Sequence, residues 1–334
     1  MTKLQFYLQI TDVDDKIIIR ARRRRLLDLE KKKNDHTEES LSELWKAAFQ
    51  AYAKSNLPQL LQSDGPTLTP ENYKQRRDTA YGHILSGEGT LSGEGKPGDA
   101  EAKIKMHVSN MNAAVDASAA KQVLNGAEEI LLPYLDSLYK ETIDTSDQTI
   151  FTDLTKYMEG EFFDDMDALN VMRPNVLTRV TEYVPQIVSF VKQIVDKGFA
   201  YESEGSVYFD IAAFEKAGNP YARLRPDSRN DKSLQEEGEG SLSKNLGGKK
   251  GGSDFALWKK SKKGEPFWDS PWGHGRPGWH IECSVMASDV LGEHMDIHSG
   301  GKQPKYKFTL LIFESYFRME GLGVCDITID TILT

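Results

Sequence analysis

Between Asp254 and Gly301 the chain gathers Trp258, Trp268, Trp272, Trp279, His274, His280, His294, His298 and Cys283. Four of the five tryptophans lie there, Trp45 being the outlier, together with one of the two cysteines. Aromatic surface and imidazoles around a lone thiol suit a lined pocket with a metal or a nucleophile, because a thiolate serves as either. A plainer reading stands beside it: a lone cysteine is often a small buried hydrophobe, and histidines are often satisfied core or surface groups. A zinc site needs three or four ligands, and no CxxC or HxxxH spacing supplies them locally. Composition alone stops at a candidate pocket.

The elements that would position such a pocket are legible in part. Leu4, Phe6, Leu8 and Ile10 alternate as one face of a strand, and Ile17–Leu27 is long enough for a helix. Thr11 and Asp12 sit between them where a helix N-cap belongs, at what would be the carboxyl edge of an α/β sheet, the usual place for a ligand. From Lys31 to about Thr145 the pattern changes to helix candidates at Leu41–Ala53 and Ala113–Tyr139, separated by loops that include the repeat LSGEG over 85–95. Regular structure resumes with a helix over Phe151–Leu169, its inner side expected at Leu154, Tyr157, Met158 and Phe162. A second amphipathic run reaches from Val180 to Val195, and Pro185 predicts a kink or break in it. Gly198 stops that helix, and Phe199–Tyr201 with Val207–Phe209 flank a hairpin turn. Residues 226–253 read as a Gly- and charge-rich loop.

Bulk properties exclude several classes. In 334 residues the formal net charge is −9, which disfavours a simple electrostatic nucleic-acid binder. The dense basic run Arg20, Arg22, Arg23, Arg24, Arg25 reads as a solvated helix face, and Lys259–Lys263 (KKSKK) as a solvated turn. Two cysteines, Cys283 and Cys325, rule out a disulfide framework and fit a reducing compartment. No apolar run has the roughly 20 residues of a membrane span, and the acidic opening is unlike a secretory signal.

Gly275–Ser284 (GRPGWHIECS) closely resembles the cysteinyl-tRNA synthetase motif around its second zinc cysteine. DFALWK at Asp254–Lys259, GEP at Gly264–Pro266 and SPWG at Ser270–Gly273 are similar to the block preceding it, and MDIHSGG at Met295–Gly301 to the segment following. ITDVDDKI at Ile10–Ile17 resembles the family segment after its second strand, while EFFDDM at Glu161–Met166 and TRVTEY at Thr178–Tyr183 fit the eukaryotic branch. The resemblance covers roughly 10–30 and 150–301, in the family's order. It implies an incomplete α/β Rossmann-type class I catalytic domain with a mostly helical insertion: 1–30 the first strand and helix, 31–145 the insertion, 146–253 a catalytic and connective region with a hairpin and a flexible loop, 254–301 the pocket segment and 302–334 a divergent tail. It further implies ATP (with Mg), L-cysteine and tRNA(Cys) as partners, a cytoplasmic setting without a membrane, and zinc gripping the substrate thiolate. Cys283 then matches a zinc ligand, Trp279 and His280 pocket residues beside the metal, Thr11 a contact to bound cysteine, and His298 a histidine near the amino-acid pocket. Each keeps its plain alternative: an N-cap for Thr11, core for Trp279, a hydrogen-bonded strand end for His298.

The pattern also departs from the family. The segment with the first zinc cysteine, the HIGH motif, the HHENE-type ligands after Gly301 and the KMSKS loop have no counterpart here, and Gly82–Ile84 is a poor imitation of HIGH. Only one of four expected zinc ligands is present, and Cys325 is not a replacement. The expectation is a chain that alone shows no cysteine-dependent pyrophosphate exchange, and whose incomplete sheet leaves apolar surface exposed. Two other readings are a cysteine ligase acting on an amino sugar, which shares the GWHIEC-type pocket, and a non-catalytic binding module, whose RNA affinity would depend on salt.

Overall fold

The computed structural model describes residues 5–61, 67–87, 99–119, 122–221, 242, 248–279, 281–292 and 297. His280, His294, His298, Cys325, most of the 226–253 loop, most of the LSGEG repeat and the 302–334 tail lie outside them. The chain forms two compact units, Met1–Ala21 with Asp144–Thr334, and Arg22–Ile143.

Strand β1 (Tyr7–Ile10) leads into helix α1 (Asp15–Lys31), with Leu8 and Ile10 buried as the alternation requires. The N-cap falls elsewhere than the sequence reading put it. Asp14 Oδ1 accepts from Ile17 N at 2.6 Å, so Asp14 caps α1. Thr11 and Asp12 stay in the preceding loop. Asp12 instead accepts from Thr181 N (3.0 Å) and Thr181 Oγ1 (2.5 Å), clamping the ends of two neighbouring strands.

The unit Arg22–Ile143 is helical: α2 (Glu38–Asn56), α3 (Pro70–Leu85), α4 (Asp99–Ala119), the short α5 (Val123–Gly126) and α6 (Glu128–Tyr139). Capping boxes at Thr37 and Thr69 start α2 and α3. Gly82–Ile84 sits inside α3. Trp45 stacks on Phe49 at 4.5 Å and donates to Ala114 O at 2.9 Å, tying α2 to α4. The arginine run is not uniformly solvated: Arg22 is buried, and its Nε and Nη2 donate to the Asp136 carboxylate at 2.6 and 3.0 Å. Helical periodicity turns one residue of the run inward, and a buried acid meets it.

The same unit buries His107, which shares a 2.7 Å hydrogen bond with Tyr52. Burial first, then Lys103, lowers its pKa from the ordinary 6.5. The unfolded chain therefore takes up this proton at higher pH than the folded one, and stability falls as pH drops below 6.5. Urea melts at successive pH values should show that slope flattened in His107→Gln. Equal slopes in the two proteins would remove His107 as its source.

In the other unit, α7 (Thr149–Ala168) buries Phe151, Thr155, Phe162 and Phe163. Tyr157, expected inside, is 58% exposed because the buried stripe runs one position away from it. β2 (Val176–Arg179) pairs with β1 in parallel, Ile10 opposite Arg179. A short 3-10 turn then leads to α8 (Val184–Asp196), where Pro185 occupies the first turn, so the break lies at the helix start. β3 (Ala200–Ser203) and β4 (Ser206–Phe209) form the expected hairpin, its turn residues Glu204 and Gly205 at φ 54° and 83°. After α9 (Ile211–Lys216), β5 (Phe255–Lys260) and β6 (Gly275–Pro277) complete an antiparallel sheet in the order β3-β4-β5-β6, and α10 (Ile281–Leu291) follows. One core joins α8 (Ile187, Val191, Ile194) to the sheet (Val207, Phe209, Leu257, Trp258) and to α10 (Ile281, Met286). The fold is α/β. Beside α7 and β1, Phe6, Leu8, Phe162, Phe163 and Met166 line a shallow apolar groove, with Met172 exposed at its rim.

Candidate functional site

The carboxyl end of β1 leads into buried Thr11, Asp12 and Val13 and half-buried Asp14, and α10 packs against β1 and α8. Cys283 lies in the first turn of α10, half-buried, with Trp279 half-buried just before the helix. Thr11 thus directly follows β1, while Cys283 lies in α10 and Trp279 two residues before it, and β1 and α10 touch. Tyr7 of β1 and Thr178 of β2 share a 2.8 Å hydrogen bond, and Tyr183, just before α8, donates to Asp289 of α10 at 2.9 Å. Burial above all, and then the nearby Cys283, Tyr183 and Asp289, push the Tyr7 phenol above its ordinary range.

The other aromatic residues of the segment take separate roles. Trp258 is fully buried in the core, and Trp268 and Trp272 pack against it. His274 is exposed, stacked on Phe267 at 4.3 Å and paired with Asp269 at 3.0 Å. Trp45 belongs to the helical unit.

Beneath the pocket elements lies a charged network that sequence reasoning missed. Arg276 of β6, 3% exposed, donates from Nη2 to Asp15 Oδ1 at 2.9 Å and from Nη1 to Glu265 Oε2 at 2.6 Å. Lys259, opposite Arg276 in the β5–β6 register, places Nζ 3.9 Å from Asp15 Oδ1. Lys259 is buried, so the reading of KKSKK as a solvated turn fails at its first residue. Strand pairing points it inward while Lys260 faces solvent. Burial pushes the Asp15 carboxyl up, but Lys259 and Arg276 outweigh it and hold the group below the usual carboxylate value. Leu242 N also donates to Asp15, at 2.8 Å. Glu282, next to Cys283, is 1% exposed, and its Oε2 has no hydrogen-bond partner among the described residues. Burial, then Cys283 and Asp14, raise its pKa well above the ordinary range. The available signal was a charged residue inside or abutting an apolar stretch in each motif: Asp15 before Ile17, Lys259 after FALW, Arg276 before a proline, Glu282 after Ile281.

Close backbone packing fixes the path from β6 to α10. Gly278 N donates to Leu257 O at 2.9 Å, and a Cβ on Gly278 would stand 1.9 Å from Ala256 O. Gly278→Ala forces that strand apart and should cost about 1–3 kcal/mol, as overpacking does. An unchanged thermal midpoint would show that the backbone yields freely.

Among the described residues no three His, Cys, Asp or Glu side chains converge as a metal site. Cys283 is a single candidate ligand there. The described residues do not make a closed zinc site.

The family model for the class I (C) tRNA synthetase catalytic domain matches residues 2–308. The cytoplasmic cysteine–tRNA ligase of Xenopus laevis is 42% identical over 325 residues, 93% of this chain and 40% of that protein. That of Gallus gallus is likewise 42% identical, over 95% of this chain and 40% of its own length. The Dictyostelium discoideum ligase is 60% identical over 157 residues, 46% of this chain. The chain spans about 40% of the length of the first two relatives. With the family model running through β1, the helical unit and α10, the chain belongs to the class I (C) tRNA synthetase catalytic-domain family.

Proposed function

We propose that this chain carries the amino-acid pocket of a cytoplasmic cysteine–tRNA ligase. In the overall reaction, the carboxylate of L-cysteine attacks the α-phosphate of ATP, pyrophosphate leaves, and the cysteinyl group passes from the adenylate to a terminal ribose hydroxyl of tRNA(Cys). The observation that carries the proposal is the placement of Cys283 in the first turn of α10, packed on the strand whose carboxyl end holds Thr11. Thr11, Trp279, His280 and His298 are proposed as substrate contacts. Cys283 is proposed as one zinc ligand, with magnesium accompanying ATP. Among the described residues no helix is long and apolar enough to cross a membrane.

The test is a chimera in which Gln5–Gly292 replaces the matching part of the Xenopus laevis ligase, assayed by ATP–pyrophosphate exchange and by charging. Exchange that requires cysteine, rejects serine and disappears in Cys283→Ser is expected. Exchange indifferent to cysteine, or survival of it in Cys283→Ser, would overturn the pocket assignment. Transfer to an amino sugar in preference to tRNA would overturn the acceptor.

A further inference from the structure

Arg276 and Asp15 are 261 residues apart in sequence, yet a 2.9 Å hydrogen bond joins them inside the fold. Asp15 opens α1 directly after the Thr11–Asp14 loop, and Arg276 stands in the strand that turns through Gly278 into α10. Glu265 holds the second arm of the same guanidinium at 2.6 Å. A planar fork gripped from two sides has a fixed direction, unlike a lysine ammonium on a flexible stem. The segment with the candidate substrate contact Thr11 and the segment with Cys283 are therefore registered against each other through one side chain.

We propose that Arg276, gripped by Asp15 and Glu265, is a positioning residue that sets the place of the Cys283 thiol relative to Thr11. The assignment rests on reading Cys283 as the pocket thiol. Its test needs no ligase activity, so failure here is distinct from failure of that reading.

The measurement is the alkylation rate of Cys283 by iodoacetamide at neutral pH, read by peptide mass mapping so that Cys325 is counted separately. Arg276→Lys keeps the charge but does not span both carboxylates. Phe214→Leu is the matched control: Phe214 is buried on α9 against Phe199 and Phe209, and its loss weakens the same unit away from the network. Arg276→Lys should raise the rate by about fivefold or more, while Phe214→Leu at an equal loss of thermal midpoint changes it by less than about twofold, since thiol reactivity follows local surroundings. Should Arg276→Lys fail to fold, Glu265→Gln, which keeps shape and an acceptor, should raise the rate by about threefold on the same grounds. A rate in the folded variant that only matches the Phe214→Leu control would overturn the proposal.

Discussion

Arg276→Met is expected to destabilise the unit that carries Cys283 by about 3–5 kcal/mol, the usual consequence of removing one partner from a buried ion pair. The reason lies in what remains. Asp15 and Glu265 are both buried, and Arg276 is hydrogen-bonded to each of them. Without the guanidinium two carboxylates stay in a dry site with Lys259 as the nearby cation, 3.9 Å from one of them. Methionine fills the stem's volume but offers no donor. Chemical denaturation read by tryptophan fluorescence checks this, because Trp258 is fully buried in this unit. A loss below about 1 kcal/mol would mean the network is wetter than its geometry indicates. The acid limb supplies a second reading. The folded pKa of Asp15 is depressed below 3.8, so its contribution is present above that value and is lost as pH falls through the lower folded value. Arg276→Met should blunt that acid loss.

Arg22→Met should have a comparable effect on the helical unit, about 3 kcal/mol or more. Arg22 grips Asp136 through two hydrogen bonds of 2.6 and 3.0 Å, joining α1 to α6 within the unit. Arg23 is a poor substitute: its Nε lies 3.8 Å from the same carboxylate, and its side chain is partly in water. Burial leads the lowering of the Arg23 pKa, with Asp136 opposing it. The check is a thermal melt followed by far-UV circular dichroism, which this helix-rich unit dominates. Replacing Arg22 and Asp136 together by apolar residues should recover much of the loss, because no orphaned charge remains. If the single and double variants melt together, the cost arises from packing.

How much of this was legible beforehand depended on what each signal encodes. The β3–β4 hairpin was readable because Glu204-Gly205 is local turn chemistry and its strands are short and apolar. The alternation of Leu8 and Ile10 located β1, and Gly198, at φ 79°, ended α8 as expected. The cap of α1 was misplaced because Thr11, Asp12 and Asp14 all accept hydrogen bonds, and only the β1–β2 pairing reveals that Asp12 is taken by Thr181. Tyr157 was misassigned because a helical stripe one position wide tolerates an aromatic residue on either flank. The charged network was invisible for a deeper reason. A charge abutting an apolar stretch is a weak local signal, and Asp15, the partner that Lys259 and Arg276 share, lies more than 240 residues away. The segments that carry the family resemblance also hold this network. Asp15, Lys259, Glu265, Arg276 and Glu282 each sit within one of them.

The span between Asp15 and Arg276 also sets a timetable for the nascent chain. The contacts of Arg22–Ile143 are complete once residue 143 is made, so that unit can fold early and from relatively local pairings. The Asp15 carboxylate must wait, hydrated, until Arg276 leaves the ribosome, some tens of seconds later at ordinary synthesis rates. During that interval the β1–α1 start has neither its ionic partner nor the β5–β6 strands, so Val13 and Ile18, which share a core with Leu257 and Trp258, lack those partners. Slowing elongation between residues 143 and 276 should therefore lower the soluble yield of this unit more than slowing it earlier.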